Sequence, residues 1–460
     1  MEFIKYIVNL GPSVMLPIVI FIISLIIGQK PGKAFRSGVT IGIGFIGIGL
    51  VIGLMLNNLG PAAEAMSKNL GVRLSIIDVG WPGDSPMVWA GPIAMTAIPI
   101  AIAVNVIMLV FGLTRVVNVD IWNIWHMAFT GTILYIATNN IWIAWVGVII
   151  HAAISYKFGD WYAPIVNDFF GLEGVAIPHG TSAYCAPLAV PVEIVIDKIP
   201  GLNKININPK YIEKRFGVFG EPMIIGLILG ILIGVLAGYD FKGIAQLGMN
   251  MAAVMILMPQ VVKLIMQGLM PVSEAARDFL QNRFKENLQN RFKEKEFYIG
   301  LDPALLLGDS EVVAASLLFV PLTLLLAMVV PGNQVLPFGD LATIGFFVAI
   351  AVGIHRGNLF RTLISGSLIM VINIWIANET VPLLTQLAKM VNMLPKGATH
   401  VAALDQGGSP LTYLLLQIFD FKNMGNLIAL ILIGGYYILG IYMSAKYLKN
   451  KSYVKNENIG

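Results

Sequence analysis

The sequence predicts an all-α polytopic membrane protein with about eleven transmembrane helices and two re-entrant hairpins, arranged as an inverted repeat of two five-helix halves. Three observations carry that expectation. Of 460 residues, 57% are hydrophobic and only 12% charged, with a mean hydropathy of +0.78; a soluble domain carries about 25% charged residues. Two apolar regions, 162–196 and 379–418, are broken by Pro, Gly and polar residues that one continuous helix does not accommodate. Finally, Gly83-Asp84-Ser85 recurs as Gly308-Asp309-Ser310, and Val175 to Gly180 is echoed by Val401 to Gln406, at spacings of 225 and 226 residues. The net charge of +4 does not point to nucleic acid. Cys185 is the single cysteine, which excludes an internal disulfide and a Cys-rich metal site. No metal or cofactor is expected. No basic region precedes the first apolar run, so no cleavable signal peptide is expected either.

Taken in order, spans are expected at 7–27, 39–56, 89–113, 121–137 and 141–156, the last two split by Asn139-Asn140. The hairpin at 162–196 follows, read as two half-helices meeting at a polar tip, Ile177-Pro178-His179-Gly180-Thr181. Irregular backbone at membrane depth survives only where protein or a watery cavity satisfies it, so such a tip is a candidate substrate site. Further spans are expected at 222–237, 244–269, 311–330, 341–354 and 359–376. The second hairpin, 379–418, precedes a last span at 424–445. The halves are 1–216 and 217–420, followed by the last helix, 421–448, and a tail, 449–460.

Charge placement orients the chain. Lys30, Lys33 and Arg36 follow the first span, a basic loop from Lys198 to Arg215 precedes the sixth, and Arg277 to Lys295 follow the seventh. His355, Arg356 and Arg361 follow the ninth, and Lys446 to Lys455 the last. With the N-terminus outside and the C-terminus cytoplasmic, every cluster falls inside. An odd number of spans per half inverts the second half, and inverted repeats with broken helices mark transporters with a midplane site. Within the seventh loop, Leu280 to Glu286 repeats as Leu288 to Glu294. Its four-residue apolar spacing reads as an amphipathic surface helix, either solvated or docking a partner.

Intramembrane ionisable residues usually face a cavity or a partner. The candidates are His126, His179, Asp84, Asp309, Glu311 and Asp405 with Gln406. Carboxylates and amides suit a neutral polyol, because each oxygen accepts from a hydroxyl while amides and backbone N–H groups donate. Gly180 and Thr181 at the first tip and Gly407 at the second complete the set, since glycine lets a ligand approach the backbone. His179 has the chemistry to relay a proton from a hydroxyl undergoing phosphorylation. Other readings stand beside these. Asp84 and Asp309 suit helix N-caps, Glu311 a favourable first-turn position, and His126, between tryptophans, an interfacial site.

Taken together, the Gly-Asp-Ser runs at 83 and 308, the Ile177-Pro178-His179-Gly180 tip, the Tyr298-Ile299-Gly300-Leu301-Asp302 run and the Asp405-Gln406-Gly407-Gly408-Ser409-Pro410 tip resemble the galactitol-type enzyme IIC of the bacterial sugar phosphotransferase system. The resemblance covers roughly residues 1–448 and extends to the ascorbate-type relatives. It implies an inner-membrane permease, a homodimer, and a core domain carrying a polyol such as galactitol. It also implies a separate enzyme IIB, charged by enzyme IIA, whose phosphocysteine phosphorylates the substrate. The chain has no soluble domain of that kind and no phosphoryl-carrying residue of its own is expected. The residues alone leave open a proton- or sodium-coupled secondary transporter. An intramembrane enzyme is a third reading, although no zinc-protease or Ser/Lys signature is present.

Overall fold

The computed structural model describes residues 12–69, 71, 74–207, 221–283, 297–337, 339–395, 398–419 and 430–448. The basic loop from 208, the duplicated segment beyond Arg283 and the tail from 449 lie outside them. In the first part of the chain the elements are α1 (Pro12–Ile26), α2 (Pro31–Asn69), β1 (Ile76–Asp78), α3 (Gly80–Ala90), α4 (Ala94–Val110) and β2 (Val116–Asn118). After them come α5 (Ile121–Thr138), α6 (Ile141–Asp168), β3 (Val175–Ala176) and α7 (Gly180–Lys198). The second part holds α8 (Pro222–Leu236), α9 (Phe241–Arg283), β4 (Tyr298–Gly300), α10 (Ser310–Val329) and β5 (Val335–Leu336). It continues with α11 (Gly345–Ile354), α12 (Leu359–Met390), β6 (Val401–Ala402), α13 (Pro410–Phe419) and α14 (Gly435–Tyr447).

Four helices among the described residues are long and apolar enough to cross a membrane, and a bent pair makes a fifth. Shorter apolar helices pack around them. This is a polytopic helical architecture, as the composition requires. The bent pair is α3 and α4, which meet at 90°. The span expected at 89–113 is therefore broken, at Gly91 to Ile93. The Asn139-Asn140 boundary falls where expected: Asn139 ends α5 in the left-handed region, with φ 51°, and the Asn140 side chain accepts from Trp142 and Ile143 N–H at the start of α6.

The hairpins differ from two half-helices. Helix α6 runs unbroken to Asp168, and the chain returns to the first tip as strand β3 before α7 begins. Likewise α12 runs to Met390 and the chain returns as β6 before α13. From the sequence, these spans are expected to end at 156 and 376, just before Lys157 and Glu379. In the fold Asp160 accepts the backbone N–H of Arg115 at 2.9 Å, so a buried carboxylate is satisfied and the helix continues.

The six short strands form two three-stranded parallel sheets, β5-β1-β6 and β2-β4-β3. In the first, Ile77 stands between Leu336 and Val401; in the second, Ile299 stands between Val117 and Val175. Each central strand comes from one part of the chain and both its neighbours from the other. Counterparts are 222 residues apart for Ile77 and Ile299, 219 for Val117 and Leu336, and 226 for Val175 and Val401. Strand pairing satisfies the returning backbone at both tips, which a membrane interior demands.

Helices α1, α2, α8 and α9 pack chiefly on one another, and among the others α4, α6, α10 and α12 pack against the strands of the two sheets. Close packing in the first group relies on glycine: a Cβ on Gly226 or Gly230 of α8 would lie 2.7 Å from a backbone carbonyl of α9. In the second group, α7 is tied at its far end by an ion cluster in which Glu193, His355 and Arg361 are buried and Asp197 is exposed. Arg361 Nη1 lies 2.8 Å from Glu193 and 2.7 Å from Asp197, and His355 Nδ1 lies 2.7 Å from the same Glu193 oxygen. Removing one member of such a cluster leaves a buried charge uncompensated. Arg361→Ala is therefore expected to destabilise the protein by about 3–5 kcal/mol, read as a lower thermal midpoint in detergent. An unchanged midpoint would show the cluster to be energetically idle.

Candidate functional site

The two tips meet. His179 is the N-cap residue of α7, so Gly180 and Thr181 occupy its first turn, where backbone N–H groups lack helical partners. One of these, from Gly180, donates to His126 Nδ1 at 3.2 Å. Because a backbone N–H can only donate, His126 Nδ1 is the bare nitrogen and Nε2 carries the proton. That Nε2 lies 3.5 Å from Asp405 Oδ2. The other Asp405 oxygen accepts from the Thr181 hydroxyl and, at 3.3 Å, from the Gln406 amide. Asp405 thus accepts from α7 and from its own tip, with the His126 ring of α5 beside it and His126 Nε2 left without a hydrogen-bond partner among the described residues.

His179 faces a second carboxylate. Its Nε2 lies 3.5 Å from Asp302 Oδ2, while Asp302 Oδ1 accepts from Ala304 N–H at 2.7 Å. A proton on Nε2, facing that carboxylate, leaves Nδ1 as an acceptor. His179 Nδ1 and Gln406 Oε1 are buried and have no hydrogen-bond partner among the described residues. The two imidazoles stand edge to face, with centroids 4.0 Å apart. An aromatic row, Trp81, Trp122, Trp125 and His126, walls the site with successive centroids 5.6, 6.0 and 4.5 Å apart. Free acceptors beside an aromatic wall suit a neutral ligand rich in hydroxyl donors. Among the described residues no group of His, Cys, Asp and Glu is arranged to hold a metal ion.

The sequence candidates divide. His179, Gly180, Thr181, Asp405 and Gln406 are brought together, and Gly407 sits under the second tip, where a Cβ would lie 2.4 Å from the Ala403 carbonyl oxygen. Asp84 lies inside α3, fully buried, with neither oxygen in a hydrogen bond among the described residues and within electrostatic reach of Asp405. It is not the N-cap its sequence allows. Asp309 is: it caps α10 by accepting from Glu311 N–H at 3.0 Å. Glu311 packs against the Gly357 turn, with its side chain also receiving the Ser310 hydroxyl.

Sequence reasoning misplaced one residue and overlooked another. His126 is fully buried and touches both tips, although its tryptophan neighbours read as interfacial. Those tryptophans form the wall instead. Asp302 entered only as the end of a motif. Its position before Pro303 marks a helix start, and capping and His179 contact use opposite oxygens of the same carboxylate. Close packing at the first tip gives a direct test. A Cβ on Gly180 would lie 2.6 Å from both Gln406 Nε2 and the His126 ring. Gly180→Ala is expected to force these side chains apart, costing about 1–3 kcal/mol of packing, and to remove most uptake while the protein still inserts. Full uptake by that variant would place the substrate elsewhere.

Comparison with known proteins gives a consistent result. A family described as "EIIC-GAT: PTS system sugar-specific permease component" matches residues 6–397. The chain is 57% identical over 458 residues to the "PTS system galactitol-specific EIIC component" of Escherichia coli strain K12, covering 100% of this chain and 98% of that relative. The protein of the same description in Escherichia coli O157:H7 matches equally. A "Putative permease IIC component" of strain K12 is 42% identical over 383 residues, covering 83% of this chain and 86% of its own.

Proposed function

The chain belongs to the sugar-specific permease family of the phosphotransferase system, and from that premise we propose that it binds galactitol between its two tips and delivers it for phosphorylation by enzyme IIB. The observation that carries this reading is Asp405, which receives Thr181 from the first tip and faces His126, with unpartnered acceptors on His179 and Gln406 beside it. Galactitol hydroxyls supply the donors those atoms lack.

His179 has the position of a general base. Asp302 holds its Nε2–H, and Nδ1 takes the proton of the reacting hydroxyl as that oxygen bonds to phosphorus. The sulfur–phosphorus bond of the enzyme IIB phosphocysteine breaks, and the thiolate leaves with the partner. Asp405, Gln406 and Asp84 hold the remaining hydroxyls, and the buried setting keeps water from competing for the phosphoryl group.

In this reading the chain is an inverted repeat, with halves at 1–216 and 217–420, crossing the inner membrane about eleven times from an outside N-terminus. The strand-for-strand correspondence of the two sheets supports the repeat, and the one-sided basic clusters support the orientation. Asp309 and Glu311, the counterparts of the Asp84 region, complete the polar lining on the cytoplasmic side. Two copies associate as a homodimer. The test is uptake into vesicles holding the protein, with phosphorylated enzyme IIB supplied or withheld inside. Galactitol phosphate accumulating only with the partner is the expected result. Unmodified galactitol accumulating under a proton or sodium gradient alone would overturn it.

A further inference from the structure

Two fully buried carboxylates outside the tips, Asp78 and Asp340, accept five backbone N–H groups between them. Asp78 ends β1, and its Oδ1 accepts from Gly80 at 3.0 Å and from Leu404 at 3.1 Å; its Oδ2 accepts from Asp340 at 3.0 Å. Asp340 precedes α11, and its two oxygens accept from Trp81 at 2.9 Å and from Asp405 at 2.8 Å. Three segments remote in sequence, 78–81, 339–340 and 404–405, are therefore closed on one another.

Close approach at this crossing requires glycine on both sides. Gly80 has φ +61°, and a Cβ there would lie 2.4 Å from the Gly339 carbonyl carbon; a Cβ on Gly339 would lie 2.3 Å from that of Val79. The crossing also fixes two things at once. Gly80 and Trp81 are the first residues of α3, which carries Asp84, and Leu404 and Asp405 are the second tip itself. No other side chain is described holding the N–H of Asp405.

We propose that Asp78 and Asp340 are positioning residues for substrate binding: a reciprocal carboxylate clasp that sets the depth and direction of the Asp405 carboxylate and of the α3 start. The inference rests on the reading of Asp405 as a substrate ligand. Its chemistry is specific to the carboxylate. Every oxygen of the pair faces at least one N–H, so an amide of the same shape turns a donor toward a donor and releases one segment. The second tip is then a fixed wall of the site, not a gate moving by itself.

The test is calorimetric binding of galactitol to the purified full-length protein, comparing Asp78→Asn, Asp340→Asn, Asp405→Asn and the double variant Asp340→Asn/Asp405→Asn. Each clasp variant is expected to weaken galactitol binding tenfold or more, with a lowered thermal midpoint but a protein that still folds and inserts. The double variant is expected to bind less weakly than two independent effects would give, because part of what Asp340 does passes through Asp405 and the rest through the α3 start. A merely structural role gives binding effects that multiply fully with that of Asp405→Asn, and that result overturns the proposal. Failure of both clasp variants to accumulate as folded protein also overturns it, since the pair would then serve the fold. Unaltered binding by Asp405→Asn refutes the site reading itself. Unaltered binding by Asp340→Asn beside impaired Asp405→Asn refutes only the clasp.

Discussion

Replacing His179 with alanine is expected to lower partner-dependent galactitol phosphorylation by about 100-fold or more, the usual contribution of a positioned general base. Binding should change much less. The expectation follows from the division of labour at the ring: Nε2 is directed at Asp302, and Nδ1 is the buried acceptor left for the reacting hydroxyl. Asp302→Asn should reproduce part of the loss, because an amide no longer favours the Nε2–H tautomer. The check is single-turnover phosphorylation with phosphorylated enzyme IIB in excess, alongside galactitol binding by the same protein. A His179→Ala protein that phosphorylates at the parental rate would remove the imidazole from the chemistry.

The second large effect is expected at Asp405. An asparagine there keeps one acceptor for Thr181 or Gln406 but turns an amide N–H toward the Nε2–H of His126. Losing a hydrogen-bonded buried carboxylate costs about 1.5–3 kcal/mol, or roughly a 10- to 100-fold rise in the galactitol Kd. The rate of phosphoryl transfer from saturated protein should fall less than affinity does. Calorimetry on Asp405→Asn decides the point, and an unchanged Kd would dissociate the second tip from recognition. His179 and Asp405 thus predict opposite signatures, one in rate and one in affinity. Finding the same signature in both would contradict the roles given to them.

How much of this was legible in the chain follows from where each residue stands. Both tips could be read because Pro178, His179, Gly180 and the Asp405-Gln406-Gly407-Gly408 run interrupt apolar sequence where a helix cannot absorb them. The membrane class and the motif recurrence were equally open to reading. The continuation of α6 past Asp160 was not, because a charge in apolar sequence looks like a span end until its partner, the Arg115 N–H, is known. His126 was hidden by its neighbours, since tryptophans signal an interface and a buried aromatic wall in the same letters. Asp78, Asp302 and Asp340 are single carboxylates in short connecting stretches. Their value lies in backbone N–H groups brought from distant segments, and no local pattern records such contacts.

The sheets make the same point. Strands from the first and second parts of the chain pair, with Ile77 flanked by Leu336 and Val401 and Ile299 flanked by Val117 and Val175, and that pairing is a tertiary fact no local pattern shows. That pairing is what carries both tips to one place. A returning strand at each tip anchors it to a sheet whose central strand belongs to the other part of the chain.

The most direct measurement is a structure of the protein determined with galactitol bound. The account predicts one galactitol between the tips, with a hydroxyl within hydrogen-bond distance of His179 Nδ1 and others on Asp405 and Gln406. Galactitol seated away from both tips, for instance among α1, α2, α8 and α9, would contradict it.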